Sequence, residues 1–297
     1  MSFNALEFVK YINPDTLDLM TASQALKNLR VRLIPDHKGG WIPTDYTVCS
    51  RPIFNPDHFV RLYDRPVHSA PAKRGDQNDP DYIERSRRRA LRAIRDIMDC
   101  NTFDWFLTFT LNGDRYDRDD YATFCKTVNK YLANRVQRYG WSYVACMEYH
   151  HDQKNLHLHA VVKAATIKLS DSGTVLRPTG GRPVRLSTAL RQGFKLDELK
   201  TVYNVTDWVD GFSTAIQTYG SPASLAKYIT KYITKSENKV GGRWYYSGGD
   251  LLRPRYVYDN VDYDTIEATR EYTNAGGDFK IVYLDREDSE RMRFESI

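Results

Sequence analysis

Two short signals in this chain carry residue types suited to one reaction centre. They are His157-Leu158-His159 and the pair Tyr228 and Tyr232, each tyrosine three residues ahead of a lysine, Lys231 and Lys235. Histidines at i and i+2 on a strand point to one face and can share a metal ion. Tyrosines at i and i+4 on a helix also share a face, so both phenols can reach one site. A divalent cation beside two phenol nucleophiles suits the breaking and rejoining of a phosphodiester. The lysines are expected to lower the phenol pKa from ~10 toward neutrality and to hold the scissile phosphate. Each signal alone also has a plainer reading, as hydrogen-bonded histidines or as tyrosines packed beside an apolar stripe.

Positioning such groups requires a hairpin and a helix. Residues 142–150 and 155–163 read as antiparallel strands joined by the polar run His151-Asp-Gln-Lys154. In the second strand His157 and His159 face one way while Leu158 and Ala160 face a core. If paired residue numbers sum to 305 or 307, Glu148 stands opposite His157 or His159 on the same face. An even sum would put it on the other face. His150 shares the parity of Glu148 and is its rival as third ligand. Two imidazoles and a carboxylate suit Mg²⁺ or Mn²⁺ with open positions for a phosphate oxygen, and their type also admits zinc.

The tyrosine helix starts well, with Ser221 as N-cap and Pro222 in the first position, and runs to about Lys235. Its buried stripe is predicted to be Leu225, Ile229 and Ile233, with Tyr228 and Tyr232 at the edge beside it. Helices are also expected over 15–33, over 81–98 with Asp81 as a cap, and over 118–139. In the last of these, Tyr121, Phe124, Cys125, Val128, Tyr131, Leu132 and Val136 share a stripe. Strands are expected over 104–111, placed centrally, and over 208–218. Residues 164–207 read as an interruption, with turns at Asp171-Ser-Gly173 and Gly180-Gly-Arg-Pro183 and then a short helix.

Composition sets wider bounds. The chain has 297 residues, 41% hydrophobic and 27% charged, with a formal net charge of +5, which describes a globular protein compatible with an acidic partner. Six arginines fall within 85–95, and a helix there would offer Arg85, Arg88, Arg89 and Arg92 to phosphates, or simply a solvated face. Cys49, Cys100, Cys125 and Cys146 form no C-x-x-C pair, so reduced thiols in a cytoplasmic protein are expected. The N-terminus lacks the pattern of a signal peptide, and no apolar run approaches membrane-spanning length. There is no Gly-Lys dipeptide and hence no phosphate loop, so helicase work would fall to another protein.

Taken together and in this order, the motifs resemble those of the HUH endonucleases, the rolling-circle replication initiators of phages and plasmids. The His-hydrophobic-His motif is matched by His157-Leu158-His159 within LHLHAVV, and the Thr-rich strand motif by Phe106-Leu-Thr-Phe-Thr-Leu111. The two-tyrosine nucleophile motif is matched by Lys227-Tyr-Ile-Thr-Lys-Tyr-Ile-Thr-Lys235. The runs FDWFLTFTL, MEYHHDQKNLHLHAVV, GFSTA and GRWYYSGGDLLRP resemble more particularly the replication proteins of filamentous phages and related prophages, over roughly residues 85–255.

This resemblance implies an α+β fold with a ferredoxin-like core, a central antiparallel sheet flanked by helices. The core would span 81–240 with 164–207 inserted, between an N-terminal extension (1–80) and a C-terminal one (241–297). It implies that His157, His159 and Glu148 hold Mg²⁺ or Mn²⁺ against the scissile phosphate of single-stranded or hairpin origin DNA. One tyrosine attacks, leaving a 5′-phosphotyrosine and a free 3′-OH, and the second cuts the regenerated origin so that the circle is resealed. A host helicase and DNA polymerase would be partners, in the bacterial cytoplasm and away from any membrane. Two other readings compete: a non-catalytic single-stranded-DNA-binding protein using the basic helix and aromatics, and an HUH transposase. A metal-dependent oxygenase would use the His-x-His pair but not the paired tyrosines.

Overall fold

The computed structural model describes residues 26–36, 38–54, 80–117, 120–149, 155–218, 221–235, 239–240, 242–259, 270–273 and 280–284. The chain divides into two compact units, Met1–Gly75 with Arg253–Ile297, and Asp76–Leu252. Secondary structure is mixed α+β, consistent with a ferredoxin-like core carrying extensions.

The first unit holds an antiparallel five-stranded sheet among the described residues. Its strands are β1 (Leu26–Pro35), β2 (Trp41–Phe54), β11 (Arg255–Asp259), β12 (Arg270–Thr273) and β13 (Lys280–Leu284), in the order β11-β1-β2-β13-β12. The helix expected over 15–33 is not there across its second half, because 26–33 form β1; residues 15–25 lie outside the described residues. Alternation explains the difference. Leu29 and Val31 bury one face of the ribbon against Val48 and Tyr46, a period of two rather than 3.6.

The second unit is built on an eight-stranded antiparallel sheet. The strands are β3 (Trp105–Leu111), β4 (Ser142–Tyr149), β5 (Leu156–Lys163), β6 (Leu169–Leu176), β7 (Val184–Arg185), β8 (Lys200–Val205), β9 (Gly211–Gln217) and β10 (Tyr246–Gly248). Their order is β10-β4-β5-β3-β9-β8-β6-β7, so the Thr-rich strand β3 is central, as expected. Helices α1 (Pro80–Cys100), α2 (Tyr121–Tyr139), α3 (Leu186–Arg191) and α4 (Pro222–Lys235) complete it.

The two sheet faces bury different clusters, as strand parity requires. Leu107, Phe109, Leu158, Ala160 and Met147 pack with Phe124, Val128, Tyr131 and Leu132 of α2. Phe106, Val144, Cys146 and Val161 pack with Ile94 and Ile97 of α1 and Ile229 and Ile233 of α4. Helix α2 is fixed at both ends. The Asp120 carboxylate accepts from the amides of Ala122 (2.9 Å) and Thr123 (3.2 Å), and Gly140 adopts the left-handed conformation after its last turn. Helix α1 opens on Pro80, so Asp81 lies in its first turn and not at its cap.

The interruption over 164–207 is part of the sheet: β6, β7 and β8 extend it beyond β9. The turn expected at Asp171-Ser-Gly173 is a bulge inside β6, where pairing with β8 skips from Asp171 to Thr174 and Gly173 takes φ +70°. Among the described residues no helix is long and apolar enough to cross a membrane.

Candidate functional site

The site grows out of three adjacent strands. Strands β4 and β5 pair with a sum of 305, placing Glu148 opposite His157 and Cys146 opposite His159. His157 and His159 therefore share a face with Glu148, while Leu158 and Ala160 are wholly buried on the other. On the far side of β5, strand β3 sets Thr108 opposite His159. The Thr108 hydroxyl lies 3.1 Å from His159 Nδ1 and the Thr110 hydroxyl 2.7 Å from His157 Nδ1. Each imidazole is thus held through Nδ1 by a threonine, which fixes the ring and makes Nε2 its outward nitrogen. These two threonines are the site residues that the sequence motif contained but residue-type reasoning passed over. The signal was their alternation in Phe106-x-Thr108-x-Thr110, which puts both hydroxyls on the histidine face.

Glu148 reaches diagonally across the pair, its Oε2 3.3 Å from His159 Nε2. Among the described residues no three His, Cys, Asp or Glu side chains are gathered as a ready-made metal cluster. The carboxylate is spent on His159, and the two imidazole rings stand 6.2 Å apart between centroids. As donor types, two imidazoles with fixed tautomers and a carboxylate fit a divalent cation once Glu148 turns away from His159. Cys146 does not join this set, since burial pushes its thiol up to about 12 and keeps it protonated. His150, the rival ligand, lies outside the described residues.

The tyrosines come to the same place on α4, whose N-terminus is capped by Ser221 through the Ser224 amide (3.3 Å). The Tyr232 ring stacks on His159, with centroids 3.9 Å apart and planes 10° from parallel. Tyr228 stands edge-on to Tyr232 at 5.9 Å and to Phe106 at 4.8 Å. The two tyrosines differ sharply in access: Tyr232 is 8% exposed and Tyr228 47%. Tyr232 is thus inside the buried stripe, with Ala226, Ile229 and Ile233, while the expected stripe member Leu225 is only half-buried. The cause is that α4 packs against both α1 and strands β4 and β5, which widens its covered face.

Lysine does not set the state of Tyr232. Burial first, then a hydrogen bond and charge from Tyr228, then the Glu148 carboxylate, raise that phenol above its ordinary value. This is opposite to the lowering expected from neighbouring lysines. Lys231 is exposed on α4, and Lys235 ends the helix with its side chain outside the described residues.

Arg85, Arg88, Arg89 and Arg92 are exposed on α1, which packs alongside α4. Arg88 is not fully available to a phosphate, because its Nε donates to Glu84 at 2.8 Å and Arg87 engages the same carboxylate. These guanidiniums, Arg88 foremost, hold the Glu84 carboxyl below its usual range.

Comparison with known families falls on this unit. Residues 104–237 match the family model of replication-associated protein ORF2/gene 2 protein. The match runs from β3 through α4 and so contains the histidine pair, Glu148 and both tyrosines. It supports a replication initiator, and with it DNA as the partner. No curated protein and no solved structure matches the chain.

Proposed function

We propose that the chain is an HUH-type nickase and strand transferase that initiates rolling-circle replication at a single-stranded or hairpin origin. The observation that carries this reading is the stacking of Tyr232 on His159, beside Glu148 and with Tyr228 at its edge. A structural tyrosine pair needs no such neighbours.

In this reading His157, His159 and Glu148 would hold Mg²⁺ or Mn²⁺, which when bound supplies Lewis-acid polarisation of the scissile phosphate. Thr108 and Thr110 keep both Nε2 atoms aimed outward. The exposed Tyr228 makes the first attack: its phenol oxygen bonds to phosphorus and gives up its proton. The phosphorus–O3′ bond breaks, and the leaving oxygen takes up a proton to become the 3′-OH primer. Lys231 and Lys235 would balance the charge of the phosphate. Tyr232, drawn off His159, cuts the regenerated origin, and the released 3′-OH attacks the first phosphotyrosine to close the circle. No nucleotide cofactor is consumed, because the tyrosyl ester retains the bond energy. A host helicase and polymerase, in the bacterial cytoplasm, would supply unwinding and synthesis.

The test is cleavage of a 5′- and 3′-labelled origin oligonucleotide with Mn²⁺ or with EDTA, followed by detection of the protein–DNA adduct. Tyr228→Phe should lose the first adduct, with a fall on the order of a thousandfold. Tyr232→Phe should form the adduct but fail to release circles. Adduct formation by the double variant would sink the assignment, and salt-sensitive binding without any cleavage would favour a DNA-binding protein instead.

A further inference from the structure

Away from the histidine–tyrosine cluster, a cavity of about 380 Å³ opens between α1 and the segment after α4. That volume falls within the ~300–1,000 Å³ range of small-ligand sites. Three cations line it, Arg89 from α1 and Lys239 and Arg243 from the segment, and no carboxylate does. Among the described residues none of the three is in an ion pair. Lys239 instead sits over the Tyr82 ring at 5.2 Å, and Arg243 over Tyr246 at 5.8 Å. Cation–π contact holds such groups in place without cancelling their charge. The wall is firm: Trp244 is buried and donates from Nε1 to the Ser86 hydroxyl at 3.2 Å, tying the segment to α1. Trp244 also belongs to the apolar cluster that buries Tyr232 and Ile233.

We infer that this cavity is a phosphate-binding subsite for single-stranded DNA, gripping the backbone of the strand held at the tyrosines. Three converging cations repel one another unless an anion lies between them, and a fixed fork of guanidiniums suits phosphate oxygens. The inference rests on the nicking reading for its choice of strand. The chemistry itself asks only for phosphate. Of the α1 arginines, this geometry singles out Arg89, and it adds Lys239 and Arg243, which no motif marked.

The test is binding of fluorescein-labelled (dT)₂₀ by the full chain over a range of salt concentrations, without divalent metal so that cleavage is absent. The Lys239→Gln/Arg243→Gln double variant should bind about tenfold more weakly, and the slope of log K against log salt should fall by ~1.4, two contacts at ~0.7 each. Lys239→Arg/Arg243→Lys should keep the wild-type slope, which separates charge from folding. Arg191→Gln, an exposed arginine on α3 at the other edge of the sheet, serves as the control and should change neither quantity. A wild-type slope in the Gln double variant overturns the subsite. So does dTMP binding as tightly as the oligonucleotide, which would make the cavity a free-nucleotide site. Absence of cleavage by wild type with Mn²⁺, alongside the altered slope, would instead remove the nicking reading and leave the subsite standing.

Discussion

At the residue scale, the site depends on hydroxyls as much as on the histidines they hold. Thr110 lies 2.7 Å from His157 Nδ1 and is itself buried, so its hydroxyl has one main task, to fix an imidazole. Thr110→Val keeps the shape and the β-branched strand preference while deleting that bond. The expected result is a 10–100-fold loss in apparent Mn²⁺ affinity, read from nicking against metal concentration, as for other partners that orient metal ligands. Near-UV circular dichroism should stay that of wild type. An unchanged metal dependence would show that the ring is held without the threonine. The histidines and Glu148 could be read from residue type and parity alone, because an odd register sum fixes which side chains share a face. The threonines could not, since a Thr-rich strand is ordinary and only the pairing of β3 with β5 brings hydroxyl to imidazole. Nor could the burial of Tyr232 be read, because helical periodicity gives the direction of a side chain and not how many elements cover it.

At the element scale, the decisive arrangement is β3 clamped between β5 and β9. Strand β9 begins at Gly211, opposite Leu111. A Cβ built there would stand 1.9 Å from the Thr110 carbonyl oxygen and 2.7 Å from the Asn112 nitrogen. Neither is a flexible side-chain end that could swing aside, so the backbone must move. Gly211→Ala should therefore destabilise by about 2–3 kcal/mol in urea unfolding, the range of overpacking in a tight site. Because the displaced carbonyl belongs to Thr110, nicking should also fall in conditions where the variant is fully folded. A folded variant with wild-type nicking would mean that β9 can slide without moving β3. The hairpin β4–β5 was legible from its alternation and polar connection, and α2 from its stripe. Strand β1 was missed for lack of tertiary context: Leu26, Leu29, Val31 and Leu33 satisfy a loose helical spacing as well as a strand's. The bulge in β6 was missed because Asp-Ser-Gly is turn chemistry wherever it falls, and only pairing with β8 shows that the strand continues past it.

At the scale of the whole molecule, tyrosine is both the proposed reagent and a structural material, with 21 in the chain. Two that lie away from the histidines show the structural use. Tyr131 packs between Phe109, Trp141 and Trp208 and donates its hydroxyl to Asp207 at 2.8 Å. Burial first and then that carboxylate raise its phenol far above the ordinary range, and burial alone raises Tyr143. A group whose folded pKa is raised keeps its proton after the unfolded chain has lost it. Its contribution is therefore intact below the unfolded value of ~10 and drains away as pH rises beyond it, by up to about 1.4 kcal/mol per pH unit for each such phenol. Alkaline titration followed at 295 nm should accordingly show two classes: exposed tyrosines ionising near pH ~10, and a buried class that ionises only with cooperative unfolding at higher pH. Tyr131→Phe should lower stability at neutral pH, because Asp207 loses a donor, yet flatten the alkaline limb by one group's slope. An alkaline limb as steep in Tyr131→Phe as in wild type would place the buried class elsewhere among the tyrosines.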